Sequence, residues 1–203
     1  MKLKYIEHAC FRLILNDKVI YFDPYKIPKD SEKADIVLAS HDHYDHLDKQ
    51  ALKSIAKDST IMVLPKTCSL DFKNIKKLSV GEMIEIEKLN ISAVAAYNPN
   101  KRFHPKSNQW LGYIVSDKKI NIYHAGDTDL IPEMKDLKNI DIALIPVGDT
   151  YTMGFNEAAD ALNTFNPKNA IPMHHWGKNL NEFKKICERK GVQSNIIILK
   201  EGE

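Results

Sequence analysis

Residues 34–46 read ADIVLASHDHYDH. The first half is an unbroken apolar run of the kind that forms a strand covered on both faces. The second half, from Ser40 to His46, packs three histidines and two aspartates into seven positions. Such polar groups at the edge of a core must find partners there. The i, i+2 spacing of His41 and His43 lets two rings reach one side of an extended segment. Asp45 and His46 come one step later, as the chain turns toward a helix read from Leu47, Ala51, Leu52 and Ile55.

Other histidines repeat the pattern. His124 ends the run NIYH, and Asp127 follows through a Gly turn. His174 and His175 end AIPM, and His104 sits in the loop NPNKRFHPKSNQ after the strand AVAAY. Neighbouring buried strands that run the same way bring such ends to one rim. Imidazole and carboxylate ligands suit zinc and similar divalent ions. A lone histidine at a strand end is usually structural, and that reading is the better one for His8 or His175 alone. Asp127 alone would be a turn residue, but beside the other groups it is a candidate bridge between ions.

The remaining segments predict an α/β fold. KYIEH, CFRLIL and VIYFD read as strands, with a turn at Asn16-Asp17. TIMVLP, MIEIEKL, NISAVAAY, IDIALIPVG, NAIPMHH and IIIL follow as strands, and WLGYIVS pairs with KINIYHAG as a hairpin. NEAADALNTF reads as a helix capped by Asn156, and NLNEFKKICERKG as one ending at Gly191. Two sheets packed together with helices outside are the expected architecture, in one domain over 1–203.

Composition narrows the functions. The chain is 43% hydrophobic and 28% charged, with a formal net charge of +2. That balance argues against a dedicated nucleic-acid binder. Cys10, Cys68 and Cys187 are odd in number and form no CxxC pair, which fits a reducing cytoplasm. The N-terminus lacks a secretory pattern, and no segment approaches the roughly 20 apolar residues that span a bilayer. A homo-oligomer is compatible with everything above, and nothing selects one.

HDHYDH matches the HxHxDH signature of the metallo-β-lactamase-fold hydrolases. HACFRL, YFDPY, SHDHYDHLD, IYHAGDTD, DIALIPVGDTYTMG and IPMHH occur in an order that resembles the UlaG-like, or uncharacterised beta-lactamase-like, subgroup. More distantly the chain is similar to N-acyl-phosphatidylethanolamine phospholipase D. The resemblance implies a four-layer αββα sandwich and two divalent ions, zinc first, with manganese or nickel as alternatives. It assigns His41 and His43 to one ion, Asp45, His46 and His174 to the other, and Asp127 to the bridge. The family's third ligand at the first site falls on Asn98 here, and His104 is the expected substitute. His8 and Asp23 match positions close to the site, Asp23 as an acceptor that orients a ligating histidine.

Two such ions lower the pKa of a shared water toward roughly 7, so a hydroxide at a dinuclear site can attack without a serine or cysteine nucleophile. Asp45 and Asp127 would position it, and His124 or His8 would protonate a leaving group. The substrate is expected to be a small molecule, a lactone or ester or else a phosphodiester. Lys101, Arg102 and Lys106 around His104 would favour an anionic one if their loop overhangs the ions. Tyr151, Met153 and Trp176 are candidates for an apolar wall. The alternatives are a di-iron redox protein of the same fold, which typically carries a glutamate where His43 stands, and a non-catalytic ligand-binding descendant.

Overall fold

A computed structural model describes residues 1–203. The first sheet holds β1 (Lys2–Glu7), β2 (Cys10–Leu15), β3 (Lys18–Phe22), β4 (Ile36–Leu38), β5 (Ile61–Pro65) and β6 (Ile75–Leu78) in that order, with α1 (Lys49–Ile55) between β4 and β5. The second sheet runs in reverse from β13 (Asn195–Ile196) through β12 (Asn169–Met173), β11 (Ile142–Pro146), β10 (Asn121–His124), β9 (Leu111–Ser116) and β8 (Leu89–Ala95) to β7 (Met83–Ile86). Helices α2 (Phe155–Phe165) and α3 (Leu180–Arg189) flank β12 in sequence.

Period-two alternation sets the layers. In β3 and β4, Ile20, Phe22, Ile36 and Leu38 join the large core between the sheets. Val19, Tyr21 and Val37 face the other way, into a smaller core closed by Ala51, Leu52 and Ile55 of α1. Apolar residues of α2 and α3, among them Leu162 and Phe183, join the large core from the far side of the second sheet. Helix, sheet, sheet, helix is therefore the layer order, as expected.

Strands β3 to β6 run parallel, as do β10 to β13. Their C-terminal ends reach one edge, where hydrogen bonds cross between sheets. Tyr113 Oη donates to the Ala39 carbonyl (2.8 Å), and the Leu111 N–H to the Ser40 carbonyl (3.1 Å). Tyr113 is fully buried. Tyr113→Phe should lower unfolding free energy by about 1 kcal/mol, because Ala39 then loses a buried donor. Denaturant titration checks this; an unchanged midpoint would show that the bond holds nothing.

Three details differ from the sequence reading. β6 was not expected, because IKKL exposes two lysines; it is an edge strand, where lysine discourages further pairing. Helix α2 starts at Phe155 with Gly154 as its cap, not at Asn156. Phe155 packs on Phe183 of α3 at 5.6 Å, which draws the start of the helix back. Of IIIL, only Ile196 belongs to a strand. The chain end turns to β1 instead, where the Gly202 N–H donates to Tyr5 O and the Tyr5 N–H to Glu203 O.

Candidate metal centre

Asp23 follows β3 in a left-handed conformation (φ 43°), which aspartate tolerates better than most residues. Its fully buried carboxylate accepts from the Ser40 N–H, from Ser40 Oγ and from His46 Nδ1, each at 2.7 Å. Ser40 Oγ in turn lies 2.8 Å from His41 Nδ1. Since Ser40 spends its proton on Asp23, it accepts from His41. Both imidazoles are thus held with Nδ1 protonated and Nε2 turned inward. Loss of such an orienting acceptor typically weakens a metal site 10–100-fold. Asp23→Asn should weaken divalent-ion affinity by about that factor, because an amide presents a donor to groups that already donate. Competitive chelator titration reads the change; wild-type affinity in a folded variant would remove Asp23 from this role.

The first donor set is His41, His43 and His104. His41 Nε2 and His43 Nδ1 lie 3.0 Å apart. Two lone pairs at that distance repel unless a proton or cation lies between them. Burial is the main cause that holds both imidazoles below their ordinary pKa, His41 far below, so they are neutral donors at neutral pH. Asn98 Oδ1 lies 3.1 Å from the His104 N–H and 2.8 Å from His104 Nδ1. The amide therefore orients His104 and leaves its Nε2 to the site. Trp110, which the sequence reading passed over, packs on His41 at 4.7 Å and His43 at 4.8 Å.

The second set is His46, Asp45, His174 and His8. Weighed alone as structural, His8 stands in the turn between β1 and β2 (φ 59°), its ring 3.9 Å from that of His174. Its Nε2 is buried without a hydrogen-bond partner, 3.4 Å from Asp45 Oδ2. The His174 N–H donates to the His8 carbonyl (2.8 Å), joining the two turns. Gly148, after β11, makes room for this: a Cβ there would meet His174 O at 2.5 Å and Nδ1 at 2.8 Å. The resemblance places His8 close to the site, whereas nothing in the sequence signals Gly148, which acts across the sheet.

Asp127 stands between the sets. Its Oδ2 lies 3.3 Å from His46 Nε2, 3.2 Å from His104 Nε2 and 3.1 Å from His174 Nε2. Burial would raise its pKa, but His174 and His46 outweigh burial and hold the carboxyl well below its usual value. Burial would likewise lower His46, yet Asp127 and Asp23 raise it well above the usual imidazole value. A proton on His46 thus occupies a place suited to a cation. His46 Nε2, His104 Nε2 and Asp127 Oδ1 are buried and lack hydrogen-bond partners in the protein. Unpaired buried polar atoms are rare without a purpose, and nitrogen and carboxylate oxygen are zinc-type donors. The residues fit divalent ions.

His124 lies beneath the site rather than in it. It is fully buried and stacked on Phe22 at 5.0 Å. Its Nε2 donates to Ala9 O (2.8 Å), and its Nδ1 accepts from the Gly126 N–H (3.2 Å). Both nitrogens are occupied away from the cavity, so a proton-donor role has no geometric path. The basic loop also departs from expectation. Lys101 turns inward to Asp129 (2.7 Å) and to the carbonyls of Asp149 and Thr152, and Lys106 pairs with Glu133 (2.8 Å). Met153 is buried in the core, whereas Tyr151 and Trp176 line the cavity over the donors.

A family model described as the beta-lactamase superfamily domain matches residues 2–174. The chain belongs to that superfamily. The UPF0173 metal-dependent hydrolase of Staphylothermus marinus is 32% identical, covering 99% of this chain and 96% of that protein. The solved structure of a protein from Parabacteroides distasonis, described as a metal-dependent hydrolase, matches at TM-score 0.90 and 33% identity, over 99% of this chain and 93% of that one. A metallo hydrolase from Ignicoccus hospitalis, at TM-score 0.81 and 23% identity over 99% and 95%, shares the fold. Within the beta-lactamase superfamily the chain falls among the metal-dependent hydrolases, and the sandwich implied by HxHxDH is the one observed.

Proposed function

We propose that this superfamily member hydrolyses a small ester, lactone or phosphodiester at a two-ion centre. The lactone or ester side is preferred, by analogy with UlaG-like enzymes. One observation carries the reading: a buried carboxylate with an unsatisfied oxygen stands within 3.3 Å of imidazoles from both donor sets. Zinc is the first choice of ion, with manganese or nickel next. Bound divalent ions would supply Lewis acidity and a water activated near neutral pH.

The protein's own groups do the rest. His41, His43 and His104 would hold one ion, Asp45, His46 and His174 the other, and Asp127 would contribute to both sets. His8 stands beside that second set, its Nε2 3.4 Å from Asp45 Oδ2. Asp23, Ser40 and Asn98 fix the rings before anything binds, so little reorganisation is left for the reaction. Imidazole at His43, where the redox branch of the fold carries a carboxylate, favours hydrolysis over di-iron chemistry. Three buried, unpaired cysteines agree with a reducing cytoplasm, and no helix is long and apolar enough to cross a membrane.

Metal analysis tests the reading. Reconstituted protein should hold two zinc, manganese or nickel ions per chain. Saturation at about 1,000 times the dissociation constant contributes about 4 kcal/mol per ion, so chelation of both should lower Tm by roughly 16–32 °C for a chain of this size. One ion or none after reconstitution, or iron with oxygen consumption, would overturn the proposal.

A further inference from the structure

The cavity over the donors encloses about 270 Å³. Five of its nine lining residues are His43, Asp45, His104, Asp127 and His174. The other four are Tyr44, Phe103, Tyr151 and Trp176, all aromatic. Large exposed apolar side chains are scarce on this protein, six in all, and three of them, Tyr44, Tyr151 and Trp176, meet here. Trp176 reaches the mouth from a left-handed backbone (φ 50°), an uncommon state for a bulky residue. Its ring rests 4.8 Å from that of His8. Phe103 and Tyr151, from two separate loops, meet edge to face at 4.6 Å.

The nearby cations face elsewhere. Lys101 and Lys106 are bound to Asp129 and Glu133, and Lys26 to Glu7. Arg102 lies against the Phe103 ring, 5.7 Å from its centroid, and does not line the cavity.

We propose that this mouth selects a substrate whose group beside the scissile bond is uncharged and apolar, an aryl or short alkyl substituent of an ester or lactone. The inference rests on the hydrolytic reading above and sharpens its substrate class. Aromatic faces stack on planar or aliphatic groups. A carboxylate or phosphate on that substituent would lose hydration and find no cation on the wall, where the hydroxyls of Tyr44 and Tyr151 and the indole N–H of Trp176 offer only neutral donors. An anion could reach the ions only by displacing the scissile group. The substrate is therefore set apart from the anionic class that the loop composition suggested.

Two matched amides that resist turnover test the wall separately from the chemistry. N-phenylbutyramide and N-phenylsuccinamic acid have acyl chains of matched length that end in a methyl and a carboxylate. On zinc-loaded protein, calorimetry should show the neutral amide at least tenfold tighter. Trp176→Ala and Tyr44→Ala should each weaken it by about tenfold, with zinc content unchanged. Equal or tighter binding of the acid, no binding of either amide, or wild-type affinity in both variants would overturn the proposal. The matched 4-nitrophenyl esters, butyrate and monosuccinate, then report the reaction. Water adds to the acyl carbon, the bond to the nitrophenolate oxygen breaks, and acid and nitrophenol are released. Tight binding of the neutral amide without turnover of either ester would leave the wall standing and remove the ester and lactone side of the hydrolytic reading.

Discussion

Asp127→Ala should abolish turnover to within measurement, at least about 1,000-fold below wild type, and should lower occupancy at both ion positions. The carboxylate lies within 3.3 Å of His46, His104 and His174, and so joins the two sets. Ion-assisted charge stabilisation of this kind is worth several kcal/mol, and each 1.36 kcal/mol is a factor of ten in rate. The variant should also be less stable before any ion binds, since it deprives the buried His46 imidazole of one of the two carboxylates beside it. The sign with pH follows from the depressed carboxyl pKa. Its stabilisation is complete above the ordinary value of 3.8 and is lost only as pH falls through the lower folded value. The stability gap between wild type and variant should therefore persist from neutral pH down to about 4. Full metal content together with wild-type kcat/KM in Asp127→Ala would sink the two-ion assignment.

Asp45→Ala should divide the centre. Asp45 belongs with His8, His46 and His174 and takes no part in the His41, His43, His104 set. Its side chain is partly exposed and joins neither apolar core. Removal should reduce bound metal from two ions to one, cut kcat by about 100-fold or more, and leave the thermal unfolding of the ion-free chain within about 2 °C of wild type. Mass spectrometry under native conditions counts the ions, and circular dichroism follows unfolding. Two retained ions with normal kcat would remove Asp45 from the chemistry. Loss of both ions would show that the sets are not separable.

Much of this was legible in the residues alone. ADIVLAS read as a covered strand and CFRLIL and VIYFD as strands, and all three are strands in the fold. HxHxDH, with GDTD and PMHH in order, pointed to the superfamily and to most of the donors, because strand ends and turns are local properties. Period and chemistry were enough to place His41, His43, Asp45, His46, Asp127 and His174 at one edge.

Contacts between distant segments were not legible. Whether Asn98 or His104 turns inward depends on a hydrogen bond that forms only when the loop folds back on β8. His8 looked structural because its partners, Asp45 and His174, lie 37 and 166 positions away along the chain. His124 was a candidate proton donor because it ends a strand just before GDTD, yet its ring sits between the sheets against Phe22 and Ala9. The loop lysines would favour an anion only if their loop overhung the ions, and Asp129 and Glu133 hold them instead. Sequence thus determined the strands, the order of the motifs and the donor types, because periodicity and side-chain chemistry are carried by each residue with its neighbours. Tertiary structure alone decided which nitrogen faces the centre, which charges are already paired and what lines the cavity, because those depend on distances between segments far apart in the chain.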